Sequence, residues 1–493
     1  MPYILSLDEG TTSARAALYD KRGVRLAMES NAFPSRFPRQ GWVEQDAVEI
    51  WNAQLDAARR TLEAASTAAR RVAALGIANQ RETTVVWDRW TGEPVAPAIV
   101  WQCRRTADRC RELASAPVAA DVTARTGLVI DAYFSASKIQ WILDNVEDAR
   151  AKARGGDLLF GTIDTWLIWK LTNGAVHATD PTNASRTMLM NLASGDWDPV
   201  LLGLFDVPAA MMPRIVPSSG VAGVAAAEHL GAEIPIAGIA GDQQAALFGQ
   251  ACFRPGLSKN TYGTGCFALM HTGGARPVSR NRLLATRAAS EDGSPRFAVE
   301  GSVFVAGAAV QWLRDQLGAV RAAADSEAIA ASVPDSAGVY FVPAFAGLGA
   351  PYWDMDARGC ISGLTRGSGM AHIVRAALES IAYQTRDLVA AMEADSGGRL
   401  EQLRVDGGAS ANGFLMQFQA DILGCSIVRP ADIETTALGA AYLAGLAAGV
   451  WRSTAEVESF WRAERVFEPS MHETERERLY AGWKDAVSRA GSR

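Results

Sequence analysis

The chain has 493 residues, a length that allows two large domains or three smaller ones, each with its own hydrophobic core. Hydrophobic residues make up 48% of the composition and charged residues 21%, as in an ordinary globular protein rather than a disordered one. The formal net charge of −6 argues against a nucleic-acid-binding protein, which usually carries a basic surplus, so we expect no nucleic-acid partner.

The N-terminus, the apolar segments and the cysteines indicate the compartment. The first residues contain no basic segment and only a short apolar run, which argues against a signal peptide. The most apolar later stretch, residues 437–451, is shorter than the ~20 residues that a membrane-spanning helix needs, so we expect no membrane insertion. Six cysteines occur without a Cys-x-x-Cys pair, which is typical of reduced thiols in a cytosol. We therefore expect a cytoplasmic protein.

The predicted elements begin with a hairpin. A short apolar strand over 3–7 leads directly into a polar turn over 8–13, and a second apolar run over 14–19 follows at once. That spacing is typical of two antiparallel strands and not of a strand followed by a helix. The next predicted elements are a helix over 47–65, a strand over 72–78 and a helix over 106–115. This alternation predicts an α/β unit whose sheet begins with an antiparallel hairpin.

A second start resembles the first. After a strand over 234–240 and a short helix, residues 257–270 again contain an apolar run, a polar turn rich in glycine and threonine, and another apolar run. The likeness between 3–19 and 257–270 is faint, but it suggests two related domains. We predict an N-terminal domain over 1–249 and a C-terminal domain over 250–493.

The second half continues the alternation of strands and helices. Residues 339–345 are predicted to form a strand. Residues 370–392 are predicted to form a long helix, because apolar residues recur about every 3.6 positions with no glycine or proline inside. Gly397, just past that helix, is a typical stop signal. A strand over 403–405 then ends in Asp-Gly-Gly at 406–408.

Two polar turns have the chemistry of a phosphate site. A phosphate needs closely spaced backbone N–H donors, glycine lets the backbone approach, and small hydroxyl side chains add donors. Residues 10–13 (Gly-Thr-Thr-Ser) and 263–265 (Gly-Thr-Gly) both fit, and 406–408 adds a third candidate. Asp8, at the end of the first strand, can hold Mg²⁺ through water. Taken alone, each turn is more simply explained as an ordinary hairpin turn.

The common nucleotide-binding signatures are absent from the sequence. It contains neither a Gly-x4-Gly-Lys-Ser/Thr loop nor a Gly-x-Gly-x-x-Gly turn after a strand. A nucleotide site in this chain therefore has to be of another kind. Two phosphate-binding hairpins that face each other across a cleft, as in actin-like proteins, are one such arrangement.

Asp242 is the candidate general base. Transfer of a phosphoryl group to a hydroxyl requires a base near the nucleophile and positive charge around the γ-phosphate. Asp242 lies where a strand turns into a helix that ends near Gly249, and strand ends of this kind form clefts in α/β proteins. A carboxylate at a helix start is also an ordinary cap, so both interpretations remain open.

Arg81 and Glu82 are candidate ligands of a small polyol. They follow a strand side by side, and together they offer donors and an acceptor for adjacent hydroxyl groups. An exposed ion pair on a loop explains them equally well. Trp101, Tyr133 and Phe267 can supply apolar walls for carbon atoms, although aromatic side chains more often belong to the core.

Several segments together resemble the FGGY carbohydrate kinases, from residue 3 to about residue 485. Residues 133–141 resemble the first signature of that family, and residues 359–379 resemble the second. The likeness is closest to the members that act on glycerol, through segments 8–13, 79–84, 99–105, 241–244 and 260–266. Long matching segments in the same order make the resemblance specific.

The resemblance implies a fold and a reaction. The fold would be α/β, a two-domain actin-like (ribonuclease H-like) ATPase fold with the ATP cleft between the domains. The reaction would transfer the γ-phosphate of ATP to glycerol with Mg²⁺, giving sn-glycerol 3-phosphate and ADP, the first step of glycerol catabolism. Because relatives form dimers and tetramers, we also expect a homodimer or homotetramer.

The resemblance also implies the site residues by position. Asp242 would take the proton from the attacking hydroxyl, and Asp8 would hold the metal. The residues that would bind glycerol are Arg81, Glu82, Trp101, Tyr133, Asp242, Gln243 and Phe267. The residues that would bind the nucleotide are Thr11, Thr12, Ser13, Arg15, Thr264, Gly307, Gln311, Gly408 and Asn412.

Three positions depart from the pattern of the family. Glu9 stands where many relatives have Gln, which adds a charge beside Asp8 and so bears on metal or phosphate affinity. The loop over 225–231 lacks the Gly-Gly-Thr-Arg type of segment that binds fructose 1,6-bisphosphate in enteric relatives, so we expect that form of feedback to be absent. His229 lies near the position of a histidine that is phosphorylated in some Gram-positive relatives. Its neighbours differ, and we expect an unmodified surface histidine.

Two alternatives to glycerol phosphorylation remain. The first is another kinase of the family that acts on a ketose such as xylulose; Arg81 and Glu82 together with Trp101 and Phe267 argue against it. The second is a non-catalytic actin-like protein that binds a nucleotide for assembly or regulation; an intact Asp242 argues against it.

Overall fold

The computed structural model describes residues 2–345 and 347–491. The strands, numbered along the chain, are β1 (Tyr3–Glu9), β2 (Ser13–Tyr19), β3 (Arg25–Ala32), β4 (Glu44–Gln45), β5 (Val72–Asn79), β6 (Val85–Asp88), β7 (Ala98–Ile99), β8 (Leu158–Gly161), β9 (Ala178–Thr179), β10 (Met190–Asn191), β11 (Asp196–Trp197), β12 (Arg214–Ile215), β13 (Ser219–Ala225), β14 (Ile234–Gly241), β15 (Ser258–Tyr262), β16 (Cys266–Gly273), β17 (Leu284–Ala288), β18 (Arg296–Val303), β19 (Tyr340–Val342), β20 (Cys360–Ser362), β21 (Gln402–Asp406), β22 (Ser426–Pro430) and β23 (Ala463–Phe467).

The α-helices are α1 (Ala47–Ala64), α2 (Ala107–Ser115), α3 (Val118–Thr126), α4 (Ser135–Asn145), α5 (Ala149–Gly155), α6 (Ile163–Leu171), α7 (Pro181–Ala184), α8 (Pro199–Leu204), α9 (Ala227–Leu230), α10 (Asp242–Gly249), α11 (Gly307–Asp315), α12 (Asp325–Ala331), α13 (Met370–Ser396), α14 (Gly413–Leu423), α15 (Thr435–Ala447), α16 (Thr454–Phe460) and α17 (Glu473–Ala490). Within the described residues, every helix is too short or too polar to span a bilayer.

The first half of the chain is built on a six-stranded mixed sheet in the order β13-β14-β5-β1-β2-β3. β1 pairs antiparallel with β2 and parallel with β5, so the predicted hairpin start is confirmed. Successive side chains of a strand point to opposite faces, and here both faces are apolar. Leu5 and Leu7 pack in the core that contains α1, whereas Ile4 packs in the core that contains α15. The central strands are therefore buried on both sides.

The second half is built on a seven-stranded mixed sheet in the order β17-β18-β16-β15-β21-β22-β23. Its hairpin β15–β16 is antiparallel, and β15 runs parallel to β21. Six strands of this sheet repeat the order and directions of the first sheet, with β15 and β16 in the places of β1 and β2. The faint sequence likeness between the two hairpins therefore corresponds to a repeated sheet topology, and the predicted two-domain α/β class is confirmed.

Two predicted elements differ in extent from the observed ones. The strand predicted over 339–345 is limited to Tyr340–Val342, because Pro343 has no N–H to donate to a neighbouring strand. The long helix predicted over 370–392 continues to Ser396. It ends at Gly397, whose φ of +70° is the left-handed conformation that glycine adopts at low cost.

Helix α15 joins the two halves. It belongs to the second half of the sequence but packs against β1, β5 and β14 of the first sheet and against α10, while α10 also contacts β15 and β16. Close approach depends on glycine: a Cβ atom added at Gly76 would lie 2.2 Å from the carbonyl oxygen of Ala440, and one added at Gly439 would lie 1.8 Å from that of Ala245. These helices fix the position of Asp242, the first residue of α10.

Gly439→Ala is expected to destabilise the protein by about 1–3 kcal/mol, because the new methyl group has to separate α15 from the backbone of α10. The free energy of unfolding from a urea titration measures this effect. Gly203→Ala is the matched control, since it also lies in a helix but has no atom within 4 Å of the added Cβ. Equal stability of the two variants would contradict the tight contact.

Candidate active site

Three carboxylates come together where strands end and helices begin. Asp8 is the penultimate residue of β1, Asp242 is the first residue of α10, and Glu434 directly precedes α15. Arg15 on β2 lies between two of them, with Nη1 2.8 Å from Glu434 Oε2 and 3.9 Å from Asp8 Oδ2. Burial raises the pKa of Asp8 to about 6, Arg15 partly offsets this, and Glu434 and Asp242 add to it. The corner is thus rich in negative charge.

Asp242 is accessible and held by charged neighbours. Its side chain is 28% exposed, and Oδ1 lies 3.1 Å from Nε of Arg81. The N-cap of α10 is Gly241, so the carboxylate of Asp242 is not the helix cap, although it accepts the N–H of Gln243 at 2.7 Å. Burial raises the pKa of Asp242 above its usual range, while Arg81 and then Lys259 oppose that rise. An accessible carboxylate with a raised pKa is suited to accepting a proton near neutral pH.

Arg81 is buried and makes several polar contacts. Its Nη1 and Nη2 donate to both carboxylate oxygens of Glu300 at 2.6 and 2.9 Å. Nη1 also donates to Oε1 of Gln244 at 3.2 Å. Arg81 and Glu82 are not an exposed loop pair, because both are buried and their nearest charged atoms are 3.9 Å apart. The guanidinium is therefore fixed beside Asp242.

Glu82 is held by a second buried arginine. Its Oε1 accepts from Nε of Arg186 at 2.6 Å, and Nη2 of Arg186 lies 3.2 Å from Oε1 of Glu300. Glu82 itself has a φ of +61°, a conformation that non-glycine residues rarely adopt and that clusters at functional sites. A buried ionic chain thus runs from Glu82 through Arg186, Glu300 and Arg81 to Asp242.

The three predicted aromatic walls also meet. The ring of Trp101 lies edge-on to Tyr133, with centroids 5.6 Å apart, and to Phe267 at 6.3 Å. Trp101 Nε1 donates to Oγ1 of Thr11 at 2.9 Å, which ties the aromatic group to the first hairpin turn. Tyr133 is buried, whereas Trp101 and Phe267 are half-buried. The aromatic group can therefore pack on a small molecule without being sealed in the core.

Gln243 is held from the second sheet. Nζ of the buried Lys259 on β15 donates to Oε1 of Gln243, to Oγ1 of Thr261 at 2.7 Å and to the carbonyl oxygen of Phe267 at 3.3 Å. Burial lowers the pKa of Lys259 to about 8, with Asp406 and Asp242 opposing that change. Lys259 thus links Gln243 and Phe267 to the β15–β16 hairpin.

The predicted nucleotide residues lie at two places. Thr11, Thr12, Ser13 and Arg15 are in or beside the β1–β2 turn, where Gly10 N–H donates to the carbonyl oxygen of Ser13 at 3.0 Å. The remaining candidates surround the β15–β16 turn or the start of α14 and are exposed or half-buried: Thr264, Gly307, Gln311, Gly408 and Asn412.

The second turn is bonded to the elements around it. Gly307 N–H donates to the carbonyl oxygen of Gly263 at 3.0 Å, and the N–H of Ala308 donates to that of Thr264 at 3.1 Å, so the turn abuts the start of α11. Asn412 is the N-cap of α14 and accepts from the N–H of Leu415 at 2.9 Å. The bonds from Gly307 and Ala308 order the backbone of the turn, while Gly263 and Thr264 stay exposed.

Sequence reasoning missed three charged residues of the site. Glu300 had a signal, because it is a lone acidic residue in the buried strand β18, which is otherwise largely apolar. Arg186 and Lys259 had none, since each lies in a polar segment that resembles a surface loop or strand. All three are fully buried in the structure.

Glu9 is buried beside Asp8 and differs from it in its contacts. The Nε2 of Gln80 lies 3.2 Å from Oε2 of Glu9, and among the described residues no Lys or Arg nitrogen lies within 4.0 Å of that carboxylate. Burial raises the pKa of Glu9 well above its usual range, and Asp8 and Asp242 add to the rise. The added acid is therefore favoured in its neutral form.

Glu9→Gln is expected to stabilise the protein at pH 8 and to change its stability little at pH 5. A carboxyl whose pKa is raised on folding loses stability as pH rises, because the unfolded chain ionises it more easily. The gain at pH 8 should be about 1–3 kcal/mol in the free energy of unfolding. Glu63→Gln, on the exposed face of α1, is the control without a pH-dependent gain. A loss of stability at pH 8 would show that Glu9 is needed as an anion.

His229 lies in α9, within the loop that departs from the enteric pattern. Its ring is half-buried, edge-on to Trp51 with centroids 5.2 Å apart, and Nε2 lies 2.9 Å from Oδ1 of Asn173. Burial lowers the pKa of His229. That it is unmodified stays a prediction.

Comparison with known proteins gives matches along nearly the whole chain. The N-terminal domain of the FGGY family of carbohydrate kinases matches residues 3–249, and its C-terminal domain matches residues 258–448. Glycerol kinase 2 of Thermotoga maritima is 59% identical over 490 residues, which cover 99% of each chain. Glycerol kinase of Aromatoleum aromaticum is also 59% identical, with 99% of each chain covered. Among solved structures, Plasmodium falciparum glycerol kinase with ADP has a TM-score of 0.93 and 36% identity, and the match covers 100% of this chain and 99% of that one.

Proposed function

The chain belongs to the FGGY family of carbohydrate kinases, and we propose that it transfers the γ-phosphate of ATP to glycerol, giving sn-glycerol 3-phosphate and ADP. It is an ATP-dependent phosphotransferase that acts on an alcohol group. The structural observation that carries the choice of substrate is the cluster around Asp242. Arg81 contacts Asp242 directly, Gln243 follows it, and Trp101 packs beside Tyr133 and Phe267.

The proposed roles follow from the chemistry of these side chains. Asp242 accepts the proton of the attacking hydroxyl, since its carboxylate is accessible and burial raises its pKa above the usual range. Arg81 donates to a glycerol oxygen, and Glu82 and Gln243 complete the hydrogen-bonding set. The rings of Trp101 and Phe267 pack against the carbon atoms. Such positioning supplies much of the rate of a phosphoryl transfer, because little covalent chemistry is left to the protein.

The proposed nucleotide residues surround the two hairpin turns. Thr11, Thr12, Ser13 and Arg15 bind the phosphates of ATP, with backbone N–H groups and hydroxyls as donors. Thr264, Gly307, Gln311, Gly408 and Asn412 hold the rest of the nucleotide. The open backbone at Gly408, where an added Cβ would meet no atom within 4 Å, leaves room for a ligand.

Asp8 is the proposed residue for Mg²⁺. Carboxylate oxygens are suitable ligands for that ion, which binds through one or two carboxylates and keeps several waters. Burial and then the neighbouring acids Glu434 and Asp242 raise the pKa of Asp8, and Arg15 opposes them, so a divalent cation would relieve the repulsion among these carboxylates. When bound, Mg²⁺ would neutralise charge on the phosphates of ATP. Among the described residues, no three His, Cys, Asp or Glu side chains are placed so that they could hold one metal ion together.

Three further features are proposed rather than observed. We place the protein in the cytoplasm. We expect a homodimer or homotetramer, and we divide the chain into an acceptor and phosphate domain over 1–249 and a nucleotide domain over 250–493.

Identification of the product tests the proposed function. The protein is incubated with Mg-ATP, with and without glycerol, and the phosphorus NMR spectrum is recorded. The expected result is ADP and sn-glycerol 3-phosphate in equal amounts, with little ADP when glycerol is left out. ADP and inorganic phosphate at the same rate with and without glycerol would contradict the proposal. No turnover would instead favour a non-catalytic nucleotide-binding protein.

A further inference from the structure

Glu300 connects the second sheet to the candidate glycerol residues. It lies on β18 and is fully buried. Its two carboxylate oxygens accept from Nη1 and Nη2 of Arg81 at 2.6 and 2.9 Å, and Oε1 lies 3.2 Å from Nη2 of Arg186. Arg186 in turn donates to Glu82 at 2.6 Å. One side chain from the second half of the sequence therefore contacts both arginines that lie among the proposed glycerol residues.

The donors of Arg81 show what Glu300 does. A guanidinium has five N–H groups in a fixed plane. Nη1 donates to Glu300 and Gln244, and Nη2 donates once to Glu300, while Nε lies 3.1 Å from Asp242. In the part of the chain that the structure describes, the second N–H of Nη2 has no acceptor, so it can donate to a ligand. Two parallel bonds to one carboxylate fix both the plane and the direction of the guanidinium.

We propose that Glu300 is a positioning residue, which orients Arg81 toward glycerol and Asp242 and holds Glu82 through Arg186. This inference rests on the proposed function, because it assigns Arg81 and Glu82 to glycerol. Glu300 contacts neither the hydroxyl that reacts nor the phosphate; it acts through the two arginines.

The charge of Glu300 supports that role. Arg186 and Arg81 oppose the effect of burial and lower the pKa of Glu300 to about 2, so the carboxylate is ionised at neutral pH. A buried ionised carboxylate with two arginine partners forms a persistent bidentate contact.

The charge of Glu300 also reaches Asp242. The charged groups that act on Asp242 come from four elements: Arg81 after β5, Lys259 on β15, Glu300 on β18, and Asp8 with Glu9 on β1. Glu300 raises the pKa of Asp242, whereas Arg81 and Lys259 lower it. Removing the charge of Glu300 should therefore lower the pKa of Asp242.

The variant Glu300→Gln distinguishes a positioning role of Glu300 from a role in protein stability alone. The expected result is a KM for glycerol raised about tenfold or more, from weakened charge-assisted bonds, with KM for ATP unchanged. The acidic limb of kcat/KM against pH should move to lower pH, because Asp242 loses protons more easily without the neighbouring anion. Glu379→Gln is the matched control: Glu379 is also buried in the second half and is paired with Arg375 at 2.8 Å, away from the site. It should lose stability but keep both KM values and the pH profile.

Glu300→Asp is the second variant, for use if Glu300→Gln does not fold. It keeps the charge but shortens the side chain, so KM for glycerol should rise while the acidic limb stays in place. A wild-type KM for glycerol in either folded variant would overturn the inference, as would equal changes in both KM values. The wild-type protein is assayed first in the same way. Its failure to phosphorylate glycerol would refute the proposed function itself, which keeps the two outcomes distinct.

Discussion

Asp242→Asn is expected to lower kcat for glycerol phosphorylation about 10³-fold and to leave ATP binding nearly unchanged. The amide keeps the shape of the side chain and can still accept the N–H of Gln243, but it cannot take a proton from a hydroxyl. Among the described residues, the side chain of Asp242 bonds to Arg81 and to the N–H of Gln243 and not to the hairpin turns proposed for the nucleotide, so ATP affinity should persist. Steady-state turnover and calorimetric titration with a non-hydrolysable ATP analogue measure the two effects separately.

The pH profile adds a second test of Asp242. The activity of the wild-type protein should fall with decreasing pH as Asp242 becomes protonated. Because burial raises the pKa of Asp242, this fall should occur at a higher pH than for an ordinary carboxylate. Asp46→Asn is the control, since Asp46 caps α1 through Val48 and Asn caps equally well. More than a few per cent of wild-type turnover in Asp242→Asn would show that another group is the base.

Arg81→Ala is expected to abolish glycerol saturation and to destabilise the protein by about 3–5 kcal/mol. The reason is that Glu300 stays buried and ionised while losing its bidentate partner. Urea unfolding measures the stability, and glycerol titration measures the binding. Arg478→Ala removes a partner from the exposed pair with Glu475 and should cost less than about 1 kcal/mol.

A double variant separates the two consequences of losing Arg81. Arg81→Met with Glu300→Gln removes both charges of the buried pair, so much of the lost stability should return. Glycerol binding should not return, because the donor is still missing. Recovery of glycerol binding in the double variant, or a stability loss in Arg81→Ala no larger than in Arg478→Ala, would contradict the buried network.

The elements with strong local signals could be predicted from the sequence. Alternating apolar runs around short polar turns gave both hairpins, and an uninterrupted 3.6-residue period gave α13. The strand predicted over 339–345 was too long, because Pro343 has no N–H to donate to a neighbouring strand. A prediction made only from the run of apolar residues does not take this into account. The repeated strand order of the two sheets depends on pairing between segments that are distant in the chain. Only the similar hairpin at the start of each half could be predicted from the sequence.

The site was predictable only in part. Asp242, Arg81 and Glu82 could be singled out from their places after strands, and the resemblance to the FGGY family supplied their proposed roles. The contact between Arg81 and Glu300 joins residues 219 positions apart, so no local sequence pattern predicts it. For the same reason the sequence left open an exposed ion pair at Arg81 and Glu82, which the burial of both side chains excludes.

We expect this site to select glycerol as the acceptor of the ATP phosphate. The most direct test is ADP release with Mg-ATP across glycerol, dihydroxyacetone, xylulose, ribulose and gluconate, compared as kcat/KM. We expect the highest kcat/KM for glycerol by a wide margin, because Arg81 lies 3.1 Å from Asp242 and the ring of Trp101 packs against Phe267, the residues proposed for a small polyol. A higher kcat/KM for xylulose or another ketose would contradict it, and would leave the fold and the role of Asp242 but not the assignment of the acceptor.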